Sequence, residues 1–501
     1  MKRIGLLLLV CAALAAIPMA AQAPPAPNQV IEIDTHAQAK PFPHFWERIF
    51  GSGRAILALR EDYRRDLRTV KAATDMQYVR FHDILDDDVG VYGEDAQGNP
   101  VYNFSYVDQI YDGLLANGVR PFVELSFMPR KLSVDPPTLH PFWYHPIVSP
   151  PRDYNRWGDL VYQFTKHLVE RYGIDEVSQW YFEVWNEPNL DFWDGKPKQA
   201  TYFELYDQAA RAIKKVSPRL RVGGPATAQA AWVPDFIRHC VENNVPVDFV
   251  STHVYANDKM EDVFGTEGTS DRRTMVCQAV KKVHDEVKVS ARPDLPIEWS
   301  EFNASYKNEP DVTDAVYMGP WMAETIRQCD GLVDNLAYWS FSDVFDEQGV
   351  VKEPFYGGFG LIAEGGIPKP SFNAFELLHR LGDQRIDVDA DALVTRRADG
   401  TLAIALWNYD PPSEPGPAKT VTLRLKGLKG KHRVTIQRAY EGDGAVAAAY
   451  EKMGKPRYPT PQQFEALRAA AALPPAETKK LKGDEITVTL PPYGLALVEI
   501  R

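Results

Sequence analysis

The chain has 501 residues, 45% hydrophobic and 25% charged, enough to bury the core of one barrel-sized domain and a smaller second one. Its formal charge is −12 and grows more negative if Lys2 and Arg3 are removed, which argues against nucleic acid or anionic membrane surfaces as partners and not against a neutral sugar. Of four cysteines, Cys11 falls in an amino-terminal segment expected to be removed, and Cys240, Cys277 and Cys329 that remain are odd in number and widely spaced, so neither a zinc pattern nor a disulfide framework is legible and buried free thiols are expected.

Met1-Lys2-Arg3, the apolar run Ile4 to Ile17 and the small residues Ala21-Gln22-Ala23 predict a secretory signal peptide over residues 1–23. The run is short for a transmembrane helix, and Cys11 is a poor match to a lipoprotein site, so a soluble, exported enzyme, periplasmic or secreted, is expected. Pro24-Pro25-Ala26-Pro27 reads as an extended tether. Short apolar runs then alternate with segments of helical period. The predicted strands are Trp46–Phe50, Tyr78–Phe81, Pro121–Ser126, Tyr181–Val184, Leu220–Gly223, Asp248–Thr252, Ile297–Trp299 and Leu336–Trp339. Between them lie stripes such as Tyr63, Leu67, Val70 and Trp157, Leu160, Val161, Phe164, Leu168, the latter stopped by Gly173. Eight strand–helix repeats predict an α/β fold, a (β/α)8 TIM barrel over residues 24–381.

After Leu381, Thr401–Trp407, Thr420–Leu425, His432–Ile436, Glu485–Leu490 and Leu495–Ile500 predict antiparallel strands of an accessory β-sandwich over 382–501, to which 28–36, through Ile31-Glu32-Ile33, can add a strand. A short helix over Phe464–Ala472 is introduced by Thr460 and Pro461. The basic run Lys426, Lys429, Lys431, His432 and Arg433 reads as a solvated edge.

Trp180 to Trp185 is an aromatic and β-branched run broken only by Glu183, as in a strand buried on both faces, and Pro188 ends it. Asn186 and Glu187 then stand at its carboxyl end, where parallel barrels build their sites. Other strand ends carry polar or aromatic residues too: Arg80 and His82, His253 and Tyr255, Glu301 with Asn303, and Trp339. Two carboxylates across one mouth, Glu187 and Glu301, suit glycoside hydrolysis with retention: one held protonated in an aromatic setting, the other kept ionised by Arg80. Trp339 and Trp185 offer apolar floors for a sugar ring. No serine in a glycine-flanked elbow suggests a triad. His82, His253 and Glu301 are too scattered for a metal site, so neither metal nor cofactor is expected.

Glu-Val-Trp-Asn-Glu-Pro-Asn (Glu183–Asn189), Ser300-Glu301-Phe302-Asn303, Val79-Arg80-Phe81-His82, Ser340–Phe345 and Tyr356–Ile362 together resemble glycoside hydrolase family 39, in particular its bacterial β-xylosidases, with α-L-iduronidase a relative. The likeness spans nearly the whole mature chain. It implies that Glu187 is the acid/base and Glu301 the nucleophile, that Asn186 binds the hydroxyl next to the anomeric carbon, and that His82, His253 and Tyr255 line the subsite for the non-reducing sugar. Two residues depart from the family pattern. Asp83 stands where glycine often follows the histidine, adding a carboxylate near the mouth that would bear on substrate choice, and Ser300 stands in place of threonine. The expected activity is release of xylose from the non-reducing end of β-xylosides or xylo-oligosaccharides. The alternatives are another glycosyl specificity (α-L-arabinosyl, uronosyl or galactosyl) and a non-catalytic carbohydrate-binding protein. The expected partner is a small carbohydrate, with no nucleic acid and no membrane; a homo-oligomer stays open.

Overall fold

The structure, a computed structural model, describes residues 28–501 apart from 482, and for 441–443 the backbone only. The predicted signal peptide and the proline tether lie outside the described residues. Eight parallel strands close into a barrel in chain order: β1 (Ile49–Arg54), β2 (Tyr78–His82), β3 (Arg120–Leu125), β4 (Tyr181–Val184), β5 (Arg221–Thr227), β6 (Phe249–Tyr255), β7 (Ile297–Asn303) and β8 (Asn335–Tyr338). Tyr338 pairs with Phe50 to shut the ring. The eight predicted strands are these eight, shifted by a few residues at their ends.

Strand geometry decides what enters the barrel, because successive side chains point to opposite faces. On β2, Val79 and Phe81 join the large core shared with the surrounding helices, while Tyr78 belongs to a separate cluster with Ile49, Phe122, Tyr181, Phe249 and Ala337. These aromatics plug the amino-terminal end of the barrel. Directly above them the same alternation delivers Arg80, Glu124 and Glu183, and above those His82, His253 and Glu301. A polar layer thus sits on an apolar plug, open only toward the carboxyl ends. The outer helices follow the predicted stripes: Tyr154–Tyr172 buries Trp157, Leu160, Val161, Phe164 and Leu168, is capped by the Asp153 carboxylate accepting from the Asn155 N–H, and ends at Gly173 with φ 82°.

The carboxyl-terminal part is a sandwich of two sheets. One has seven strands in the order Lys40–Pro41, Gln384–Ile386, Ala392–Arg396, Leu402–Trp407, Leu495–Ile500, Arg433–Arg438, Glu477–Lys480; the other pairs Asn28–Asp34, Lys419–Lys426 and Glu485–Leu490. Ile31, Ile33, Ile404, Leu423, Val488 and Val498 fill the space between them. The other face of the larger sheet, with Leu393, Ala403, Ala405 and Leu497, merges into the barrel's core.

Several expectations need correction. Cys277 and Cys329 are disulfide-bonded, joining helices Met275–Lys288 and Met318–Cys329; among the described residues only Cys240 is a buried free thiol. Wide spacing in sequence hid this pair because helix packing, not chain proximity, brings the sulfurs together. The basic run is solvated but is not an edge: Lys419–Lys426 lies between two strands, and Arg433–Arg438 does too. Asn28–Asp34 pairs in parallel with Lys419–Lys426, unlike its antiparallel neighbours. A second helix, Ala439–Lys452, joins Pro461–Ala471 beside the sandwich. No helix among the described residues is long and apolar enough to cross a membrane.

Candidate active site

A cavity of about 400 Å³ opens at the carboxyl end of the barrel, and His82, Asn186, Glu187, Tyr255, Glu301 and Trp339 are on its wall. Of the remaining predicted site residues, Arg80 and His253 lie just behind that wall, fully buried and touching its carboxylates. Asp83 is also fully buried but not on the wall; it faces Tyr144 and the carboxylates of Asp86 and Asp88. Burial, then Asp86, push its carboxyl well above the usual carboxylate range. Trp185 is not a sugar floor: it is buried against Phe127 and Trp193 and donates its indole N–H to the Phe192 carbonyl.

The two glutamates reach the mouth by different backbone routes. Glu301 lies within β7. Glu187 follows β4 on a turn where Trp185 (φ 74°) and Glu187 (φ 43°) both take the left-handed region, a costly conformation for side-chain-bearing residues that the surrounding packing must enforce. The Glu187 N–H is anchored on the Ala226 carbonyl at 2.8 Å.

Their surroundings differ as sharply. Glu301 accepts from Arg80 Nη1 at 2.6 Å and from the Tyr255 hydroxyl at 2.7 Å. Arg80 is the hub of the polar layer, also donating to Glu183 (2.6 Å) and Asn186 Oδ1 (2.9 Å) and ion-paired with Glu124 (2.9 Å). Burial opposes the charge on Glu124, but Arg80 and His82 outweigh it and hold its carboxyl low; His82 Nδ1 lies 2.8 Å from that carboxylate, which orients the ring at the cavity.

Glu187 has the opposite setting. Burial, then the neighbouring Glu301, push its carboxyl well above the usual range. Its contact is His253 Nδ1, 3.0 Å away. The tautomer of that ring follows from the groups beyond it. The Ser300 hydroxyl donates to Glu183 Oε1 at 2.6 Å, so the Ser300 oxygen accepts from His253 Nε2–H at 3.1 Å. Burial and Arg80 keep the imidazole neutral. Nδ1 is therefore an acceptor, and the proton between it and Glu187 belongs to Glu187. One oxygen of Glu187, one of Glu301 and a nitrogen of His253 lie within 4.8 Å of one another. Three such groups could in principle hold a cation, but a neutral imidazole accepting from a carboxylic acid already satisfies them.

The cavity also has members that strand reading missed. Glu347, on the loop after β8, is 7% exposed, lies 3.8 Å from His82 Nε2 and has its carboxyl pushed well up by burial and Glu301. Asp258 accepts from the Tyr255 N–H and is raised to about 7, chiefly by burial. His140 stacks on Phe192 at 4.0 Å on another stretch of wall. All three lie on loops, beyond the reach of a period-2 pattern. The one available signal was the aromatic-rich segment Phe341–Phe345 just before Glu347.

The family model for glycosyl hydrolases family 39 matches residues 29–484. A β-xylosidase of Geobacillus stearothermophilus is 38% identical over 94% of this chain and 95% of its own length. Human α-L-iduronidase is 23% identical over 93% of this chain and 77% of its own. The crystal structure of a monomeric β-xylosidase from Caulobacter crescentus CB15 superposes with a TM-score of 0.85 at 34% identity, covering 94% of this chain and 99% of that one.

Proposed function

The chain belongs to glycosyl hydrolase family 39 and is a glycosidase, and from that premise we propose an exo-acting β-xylosidase that retains anomeric configuration through a glycosyl-enzyme intermediate. The observation that carries the mechanism is the opposed setting of two adjacent carboxyls. Glu301, served by Arg80 and Tyr255, attacks the anomeric carbon while Glu187 gives its proton to the departing oxygen; Glu187 then takes a proton from water as that water cleaves the ester on Glu301. An approach within 4.8 Å favours direct attack, since an inverting pair stands roughly 6.5–9.5 Å apart to admit a water.

The wall supports a neutral sugar. Among the described residues it carries no lysine or arginine, and its acids Glu347 and Asp258 would repel or desolvate a uronate carboxylate. His82 packs against Trp339 at 4.8 Å between ring centres, forming a polar and an apolar edge side by side for a pyranose. This reading favours xylosides over uronosides. The signal peptide predicted from the sequence and the Cys277–Cys329 bond support an exported enzyme.

The test is early-time NMR of the released sugar with a panel of aryl glycosides. β-Xylose as first product from β-xylosides, with uronosides untouched, is expected. α-Xylose as first product would overturn retention, and preference for another glycon would overturn the specificity.

A further inference from the structure

Far from the mouth, on the amino-terminal face of the barrel, three metal-ligating side chains share one point. Glu47 lies two residues before β1 and is fully buried. His44 Nδ1 is 2.5 Å from its Oε1, and His379 Nδ1 is 3.1 Å from Oε1 and 2.9 Å from Oε2. The three ligand atoms lie within 4.8 Å of one another. The Asp75 N–H donates to Oε2 at 3.2 Å and fixes the carboxylate's orientation. Stacking of His44 on Trp46 at 4.5 Å fixes one ring. The side chains of His44 and His379 are 18% and 42% exposed and border a crevice of about 450 Å³, so an ion and a water ligand have an entry path. Arg397, the cation on that crevice wall, is held by Glu499 at 2.7 Å.

We propose that His44, Glu47 and His379 form a binding site for a single divalent transition-metal ion of the zinc type, with solvent as fourth ligand. Two imidazoles and a carboxylate are a donor set that zinc accepts, and tetrahedral zinc at about 2.0–2.1 Å from each ligand sets ligand atoms about 3.3 Å apart. Both imidazole–carboxylate distances already stand at or below that value, so binding requires loss of the bridging protons and an approach of the two imidazoles by at most about 1.5 Å. The backbone N–H on Oε2 and the ring stack on His44 are the outer contacts that orient such ligands. The placement gives the ion a role. His44 lies where the chain enters the barrel from the edge strand Lys40–Pro41, and His379 follows the helix Pro370–Leu378 from which the chain leaves for the sandwich. An ion there would clip entry and exit of the barrel together, leaving the catalytic mouth untouched.

The test titrates ZnCl2 into untagged, chelator-treated, full-length enzyme by calorimetry, with Co²⁺ as a spectroscopic stand-in, in wild type, His44→Gln, His379→Gln and Glu187→Gln. One equivalent should bind in wild type and in Glu187→Gln, with tetrahedral Co²⁺ absorption. Each histidine variant should lose at least tenfold in affinity. Zinc at a hundredfold excess over Kd should raise Tm by about 2–3 °C in wild type and in Glu187→Gln but not in the histidine variants, with wild-type turnover unchanged. Absence of saturable binding, or undiminished binding in both histidine variants, overturns the proposal. So does zinc binding that abolishes turnover and disappears in Glu187→Gln, which would place the ion at Glu187, His253 and Glu301.

Discussion

Ser300 is the residue through which the acid's protonation can be tested without touching the acid. In Ser300→Ala the hydroxyl that accepts from His253 Nε2 and donates to Glu183 is gone. The imidazole is then free to move its proton to Nδ1, where it would donate to Glu187 and favour the carboxylate instead of the acid. A hydrogen bond to a charged group contributes about 1.5–3 kcal/mol, and one pKa unit corresponds to about 1.4 kcal/mol, so the proton affinity of Glu187 should fall by about one to two units. The sign follows: Glu187 must hold a proton to act, so a lowered pKa moves the alkaline limb of kcat/KM to lower pH by the same amount, while the acid limb stays put. The assay is kcat/KM against pH for a β-xyloside with a poor leaving group. Ser300→Thr, which keeps the hydroxyl, should behave as wild type. A folded Ser300→Ala enzyme with an unmoved alkaline limb would refute the tautomer chain from Glu183 to Glu187.

Three further outcomes are expected. Glu301→Ala should abolish turnover of every substrate, whereas Glu187→Ala should keep the first step on activated aryl xylosides and regain the second with azide; equal, unrescued loss in both, by steady-state kinetics, would count against the division of roles. Asp83→Gly should leave the ratio of kcat/KM between xylosides and uronosides unchanged, because the side chain is buried off the cavity wall and its φ of 69° suits glycine; a shifted ratio would bring Asp83 back into substrate selection. Truncation after Leu381 should give insoluble protein on expression, since it strips the sheet carrying Leu393, Ala403, Ala405 and Leu497 from the shared core, each such leucine contributing about 1.5–3 kcal/mol; a soluble, fully active barrel would show the contact to be dispensable.

What could be read from the chain alone was whatever repeats with a period. Tyr78-Val79-Arg80-Phe81-His82 announces a strand and, by alternation, sends Arg80 and His82 inward together. The stripe of Trp157, Leu160, Val161, Phe164 and Leu168 does the same for a helix. Strand ends were misjudged where β5, β6 and β7 run on toward the mouth, because their register shifts near Thr252 and Trp299 break the pattern. Glu347, Asp258 and His140 were invisible because their positions depend on loops. Asp83 was misplaced for the same reason: it directly follows His82, but its left-handed φ turns the chain. The Cys277–Cys329 bond and the His44–Glu47–His379 cluster depend on contacts 52 and up to 332 residues apart in sequence, for which no local signal exists.

In the proposed mechanism two glutamates of equal intrinsic acidity take opposite roles through donors placed asymmetrically around them. Unit charges at the 4.8 Å limit of their approach would repel by about 3.5 kcal/mol at an effective dielectric of about 20, so a charge on Glu301 adds to burial in raising the proton affinity of Glu187. Arg80 and Tyr255 decide which one yields, because both donate to Glu301 while Glu187 meets only the lone pair of His253. The same repulsion would let Glu187 serve that mechanism as acid and then as base. Once Glu301 is esterified to the sugar in that mechanism its charge is gone and the repulsion on Glu187 vanishes; burial still raises its proton affinity, but the fall is in the direction the second step requires.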